Sequence, residues 1–175
     1  MSGLLLPYEG VSPTIHQDAW LAPNATVIGN ATINSRASVF YGAVVRADMD
    51  RIVLGAGSNL QDNVVVHTDY GFPTFIGTGV SVGHGAVVHG CTVEDDCLIG
   101  MHATVLNGAR IGTGSLVAAG TVVLEGTVVP PRSLVAGVPG KVRRQLSDSE
   151  YDRVVANAQI YLELAARHRE VGGEG

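Results

Sequence analysis

The sequence is poor in aromatic residues, at 5% of 175, and in charged ones, at 15%. An ordinary helical domain would carry more Leu, Lys and Glu, so both deficits argue against one. There is no cationic surplus. A net charge of -5 leaves no basic footprint for nucleic acid. No apolar run approaches the ~20 residues of a membrane span. The leading MSGLLLPYEG has neither a charged n-region nor a long apolar stretch, so a signal peptide is not expected. Cysteine is nearly absent. Cys91 and Cys97 form no CxxC motif, and the expectation is a reduced, cytoplasmic protein. A chain of this length suggests one domain.

What is plentiful is small and aliphatic: 46% of the chain is apolar and 23 residues are Gly. The order of these residues carries the information. Aliphatic residues recur every six positions at Ile15, Leu21, Val27, Ile33, Val39 and Val45. The beat restarts at Leu54, Leu60 and Val66, and again at Ile76, Val82 and Val88. A last run passes through Val93, Ile99, Val105, Ile111, Val117, Val123, Val129 and Val135. Small or β-branched residues follow most anchors by four, as in Ala25, Ala43, Ser58, Ala86, Thr92, Cys97 and Ala103.

A helix has 3.6 residues per turn, which a period of six does not match. A coil of short parallel strands does match it: the hexapeptide β-helix. Anchors point inward, and small residues and Gly serve the corners. Three hexapeptides make one triangular rung, so residues 18 apart stack at about the 4.8 Å strand spacing. Twenty anchors give nearly seven rungs. The expected class is all-β: a left-handed parallel β-helix, a triangular prism of hexapeptide repeats, over residues 1–140. The left hand is that of known hexapeptide proteins and runs against the usual crossover rule. A C-terminal α-helix over 146–170 should pack on the prism within the same domain. Ser147 and Glu150 predict its capping box. Tyr151, Val154, Ala158, Tyr161 and Ala165 keep helical spacing.

The beat breaks three times. Val45 to Leu54 is three residues too long, Val66 to Ile76 four too long, and Val88 to Val93 one short. Long turns on a regular scaffold often carry function. Three of the six histidines, His67, His84 and His89, lie beside these breaks. Counting anchors in threes puts Val45, Val66 and Val88 on one face. Arg46, His67 and His89 each follow by one and form an outward column. His84 follows Val82 by two and belongs to the preceding face, in column with Asp62. If all three histidines share one ion, the natural solution is a cyclic trimer in which His84 comes from a neighbouring subunit. Three imidazoles with an open fourth position make the catalytic zinc pattern.

The segments 46-RAD-48, 60-LQDNVVVH-67 and 82-VGHGAVVHG-90 resemble those of the gamma-class carbonic anhydrases, over about residues 10 to 165. The resemblance implies a homotrimeric lyase that interconverts CO2 and bicarbonate by metal-bound hydroxide. His67, His84 and His89 would be ligands to Zn2+, with Fe2+ or Co2+ as other choices. Arg46 and Asp48 would form an interface salt bridge. Gln61 would orient the hydroxide, and Asp62 would support the interface. A tyrosine of the C-terminal helix would face the metal; Tyr161 fits that place better than Asn157 does. Two departures bear on turnover. Met49 stands where the archetype has glutamate after R-x-D, and the short TDYGFP turn replaces the acidic proton-shuttle loop. Asp69 is the only acid near that turn; Asp50 and Asp69 are weak substitutes for the shuttle and read as turn residues. His102 lies one rung beyond His84 and reads as a surface residue. His16 and His168 read as incidental, and Cys97 as core. Competing readings are acyl-CoA thioesterase or acyltransferase chemistry, since 137-GVPGKVRR-144 resembles the coil-end motif of hexapeptide acyltransferases, and a metal-stabilised trimer without catalysis.

Overall fold

The computed structural model describes residues 3–171. It is a parallel β-solenoid of about seven turns, followed by one helix, Asp148–Val171. Every anchor of the six-residue beat is buried except Ile15, which is half-buried. They stack in three columns. One runs Val27–Val45–Val66–Val88–Val105–Val123. The second runs Ile15–Ile33–Leu54–Ile76–Val93–Ile111–Val129. The third runs Leu21–Val39–Leu60–Val82–Ile99–Val117–Val135. Like-sized aliphatic side chains therefore meet from rung to rung, and the core is continuous along the prism. From Trp20–Leu21 onward the anchor-bearing strands are buried on their inner side, while Leu4–Leu6 at the start is exposed.

From Arg36 onward, and outside the three breaks in the beat, most corners come three residues after an anchor, where φ is positive. Glycine holds most of them, at no steric cost. The exceptions include Asn63, Asp96 and His102, which the sequence reading did not identify as corner residues. His102 owes its place to this role. Its backbone N donates to His84 O, and its ring lies over Gly85 of the rung before, where an added Cβ would sit 2.5 Å from His102 Cε1. Most of the small residues at the next position are buried, with Thr92 and Thr127 as exceptions. For Thr92 the reason is the five-residue step. It shifts Thr92 to the outward position before Val93, and Cys91 fills the corner instead.

After the coil, Lys141–Gln145 returns antiparallel along Ser133–Ala136. This strand was not legible as one, because it is exposed throughout and shows no alternation. The helix begins with the predicted capping box: Ser147 N donates to Glu150 Oε2 at 2.9 Å and Glu150 N to Ser147 Oγ at 3.3 Å. Val154, Ala158 and Ala165 face the prism. Its far end is held by aromatic contacts. Trp20, Phe40 and Tyr41 surround His168, and Tyr41 Oη lies 3.0 Å from His168 Nδ1. His168 is thus not incidental but part of the helix dock. No described helix is long and apolar enough to cross a membrane.

Candidate metal centre

The three departures from the six-residue step fall on one edge of the prism, between the first and second columns, in successive rungs. In the first, a single strand, Val44–Leu54, continues round the corner against Thr26–Ile33, with the register shifting near Ala31. In the second, residues 69–72 close a tight turn in which Phe72 N donates to Asp69 O at 2.9 Å. The third is the short step through Gly90. The extra and missing residues together turn side chains of one edge toward one place.

His67 and His89 are register partners on neighbouring strands, as the six-residue ruler requires. His67 is only 8% exposed, so its ring must find partners within the protein. Its Nε2 lies 2.9 Å from Asp48 Oδ1. Burial tends to raise the Asp48 pKa, but hydrogen bonds from His67 and Arg46 outweigh it and hold the carboxyl below its usual range. An ionised carboxylate only accepts, so His67 carries its proton on Nε2. His89 Nδ1 lies 2.7 Å from Asn107 Oδ1, while Asn107 Nδ2 donates to Asp69 Oδ2 at 2.7 Å. That fixes the amide orientation, and His89 carries its proton on Nδ1. The remaining ring nitrogens, His67 Nδ1 and His89 Nε2, then face each other with lone pairs across 2.9 Å. Two lone pairs at that distance repel unless a proton or a cation lies between them. The outer partners, carboxylate on one ring and amide on the other, are those that orient metal-bound histidines. The donor set fits a zinc-type cation.

Asn107 was missed by sequence reading, although the ruler contained it. It stands 18 residues after His89, one rung on, and an amide among aliphatics was the available signal.

His84 does not join the pair within one chain. Among the described residues, the donor atoms lying within 4.8 Å of one another belong to His67, Asp69 and His89. His84 sits on the face its register predicted. Its Nδ1 is 2.9 Å from Asp62 Oδ2, which again leaves Nε2 with the lone pair, 3.2 Å from Tyr161 Oη. Burial, then the charge of Asp62, pushes the Tyr161 phenol up, so it stays a donor. Gln61 is buried. Its Oε1 accepts from His84 N at 3.2 Å and its Nε2 donates to Asn59 Oδ1. A cavity of about 400 Å³ opens beside these groups, walled by Leu98, Ile99, Leu116 and Ala118, with Asn157 at its side. The Asn157 Oδ1 is buried without a hydrogen-bond partner.

Within the chain, Arg46 pairs with Asp48. Asp50 accepts from its neighbour Arg51 N, a turn contact, and Met49 is exposed. Cys97 is core, and burial pushes its thiol up to about 12.

Comparison with known proteins agrees with this fold. The bacterial transferase hexapeptide model, of six repeats, matches residues 90–125. The chain is 52% identical over 151 residues to the "Probable carbonic anhydrase" of Methanocaldococcus jannaschii, covering 86% of this chain and 95% of that protein. It is 39% identical over 164 residues to the carnitine operon protein CaiE of Salmonella agona, covering 93% and 82%. The solved structure of a hexapeptide transferase family protein from Anaplasma phagocytophilum superposes with a TM-score of 0.90 at 39% identity, over 93% of this chain and 96% of that one.

Proposed function

We propose that this chain, a member of the gamma-class carbonic anhydrase-like family of hexapeptide-repeat proteins, reversibly hydrates carbon dioxide to bicarbonate at a metal site shared between copies of itself. The observation that carries this reading is the 2.9 Å approach of His67 Nδ1 to His89 Nε2, on rings whose other nitrogens already face Asp48 and Asn107. The third ligand is His84 of a neighbouring copy, because its own prism face turns it away from the pair. A three-sided prism closes such contacts in a cyclic homotrimer. Zn2+, Fe2+ and Co2+ all suit three imidazoles. When bound, a cation of this kind supplies a Lewis acid that makes water a nucleophile near neutral pH.

The chain's own residues supply the rest. Asp48, Asp62 and Asn107 engage one nitrogen of each of the three imidazoles and leave the other to act as a ligand. Gln61, locked by Asn59 and the His84 backbone, presents a fixed amide beside the reacting position. Tyr161 Oη lies 3.2 Å from His84 Nε2 and would be released to donate to a substrate oxygen if that nitrogen took a cation. The aliphatic wall of the cavity receives an apolar substrate and limits water. No glutamate stands where the archetype carries its proton shuttle, so proton release depends on buffer.

The test is stopped-flow CO2 hydration on zinc- or cobalt-loaded protein with imidazole buffer titrated upward. Turnover should rise with buffer and vanish in His84→Ala. A fully loaded trimer without turnover would sink the assignment. One observation favours a second reading. The cavity reaches the 300–1,000 Å³ range of pockets for far larger ligands, so acyl-CoA thioesters are the next substrates to try.

A further inference from the structure

Within a single chain, His67 and His89 are joined by a third donor that lies outside the three-histidine set. Asp69 stands two residues beyond His67, at the start of the tight turn that replaces a plain corner. Its carboxylate, His67 and His89 each offer a ligand atom, and all three atoms lie within 4.8 Å of one another. Donors about 2.1 Å from one tetrahedral ion lie roughly 3.4 Å apart, so side-chain shifts of up to about 1.4 Å complete the set. Asp69 is also held in place. Asn107 Nδ2 donates to its Oδ2, and the same Asn107 accepts from His89. One amide thus fixes the orientation of both a ring and a carboxylate. The second oxygen of Asp69 keeps lone pairs to spare, since a carboxylate accepts at about four sites.

We propose that Asp69 is a metal ligand, and that His67, His89 and Asp69 form a two-histidine, one-carboxylate site complete within one protomer. The inference rests on the metal reading above and adds to it. Each chain captures its cation before it meets a neighbour. On assembly, His84 of the next copy joins the set, or displaces Asp69 from it. Metal loading and trimer formation are then separable events, and the protomer's site has the ligand class that suits ferrous iron as well as zinc.

The experiment compares wild type, His84→Ala, Asp69→Asn, His84→Ala/Asp69→Asn and His67→Ala/His89→Ala. Asn keeps the shape at 69 and leaves the turn's backbone bonds intact. Co2+ is the probe. Its stoichiometry and dissociation constant come from competition with a chelator, its coordination from visible absorption, and the assembly state from light scattering. His84→Ala should still bind about one Co2+ per chain, with a spectrum that changes again when Asp69→Asn is added. The double variant His84→Ala/Asp69→Asn should bind at least a hundredfold more weakly than His84→Ala, exceeding the 10–100-fold cost of losing an outer partner. His67→Ala/His89→Ala should bind none. If wild type binds and His84→Ala does not, the protomer site is wrong while the shared site stands. If Asp69→Asn changes neither affinity nor spectrum in the His84→Ala background, Asp69 is no ligand. If wild type itself binds no Co2+, the metal reading falls, and this inference with it.

Discussion

The edge between the first and second columns can be compared with itself along the prism. In its C-terminal rungs the step from Val105 to Ile111, and from Val123 to Val129, is the plain six residues. Glycine holds the corner each time, at Gly108 and Gly126. In the three rungs before, the same edge departs from six every time, and it carries Asp48, His67, Asp69 and His89. The inner residues are aliphatic in both stretches, Val and Ile with Leu54 in the irregular one, and all are buried. Stability is therefore provided by the repeat, and chemistry is added where loop length is released from it. A hexapeptide coil tolerates this because each rung is held by its neighbours above and below, not by its corners.

That contrast can be broken from either side. The largest effect is expected at the irregular edge. His89→Ala should lower metal affinity by more than the roughly 100-fold that marks loss of an outer partner, with little change in melting temperature. Metal content by mass spectrometry beside a thermal melt checks both halves. On the regular edge, Ile111→Ala should cost about 2–5 kcal/mol of stability, as large-to-small core changes do, and leave metal content intact. Denaturant unfolding reads it, and a loss of metal at full folding would contradict the separation. Asn107→Ala bridges the two regions. It removes a group that belongs to the regular rung of Val105 yet orients His89, and should weaken metal binding about 10–100-fold without unfolding the coil.

The smallest effect lies far from the edge, at the helix start. Arg144 and Ser147 hold the Glu150 carboxyl down at about 2, against 4.5 unperturbed. A lowered folded pKa means the contribution is fully present above pH 4.5 and lost as pH falls through about 2. Helical ellipticity should fall modestly across that window in wild type, and Glu150→Gln should flatten the response.

The repeat was legible because a strict period fixes both burial and register. Val66 and Val88 had to be neighbours, so His67 and His89 did too. The same ruler put His84 on another face beside Asp62, and the capping box at Ser147 was equally local. What escaped was set by contacts that no period encodes. Asn107 is one rung from His89, but only the hydrogen-bond chain through Asp69 gives it a role. His102 keeps its backbone at positive φ, which its residue type does not announce. His168 docks the helix by meeting Trp20, Phe40 and Tyr41, more than 120 residues away in sequence. The exposed strand Lys141–Gln145 has no pattern, because neither of its faces is buried.

The central claim is that faces of two chains build one site, and complementation tests it most directly. Chains carrying His84→Ala and chains carrying His67→Ala, differently tagged, are refolded together and the mixed trimers isolated. Each homotrimer alone should be inactive in CO2 hydration. A mixed trimer holds one interface with every histidine intact, so it should recover about a third of wild-type activity. Mixed trimers as inactive as their parents would place the working site within a single chain and contradict the account.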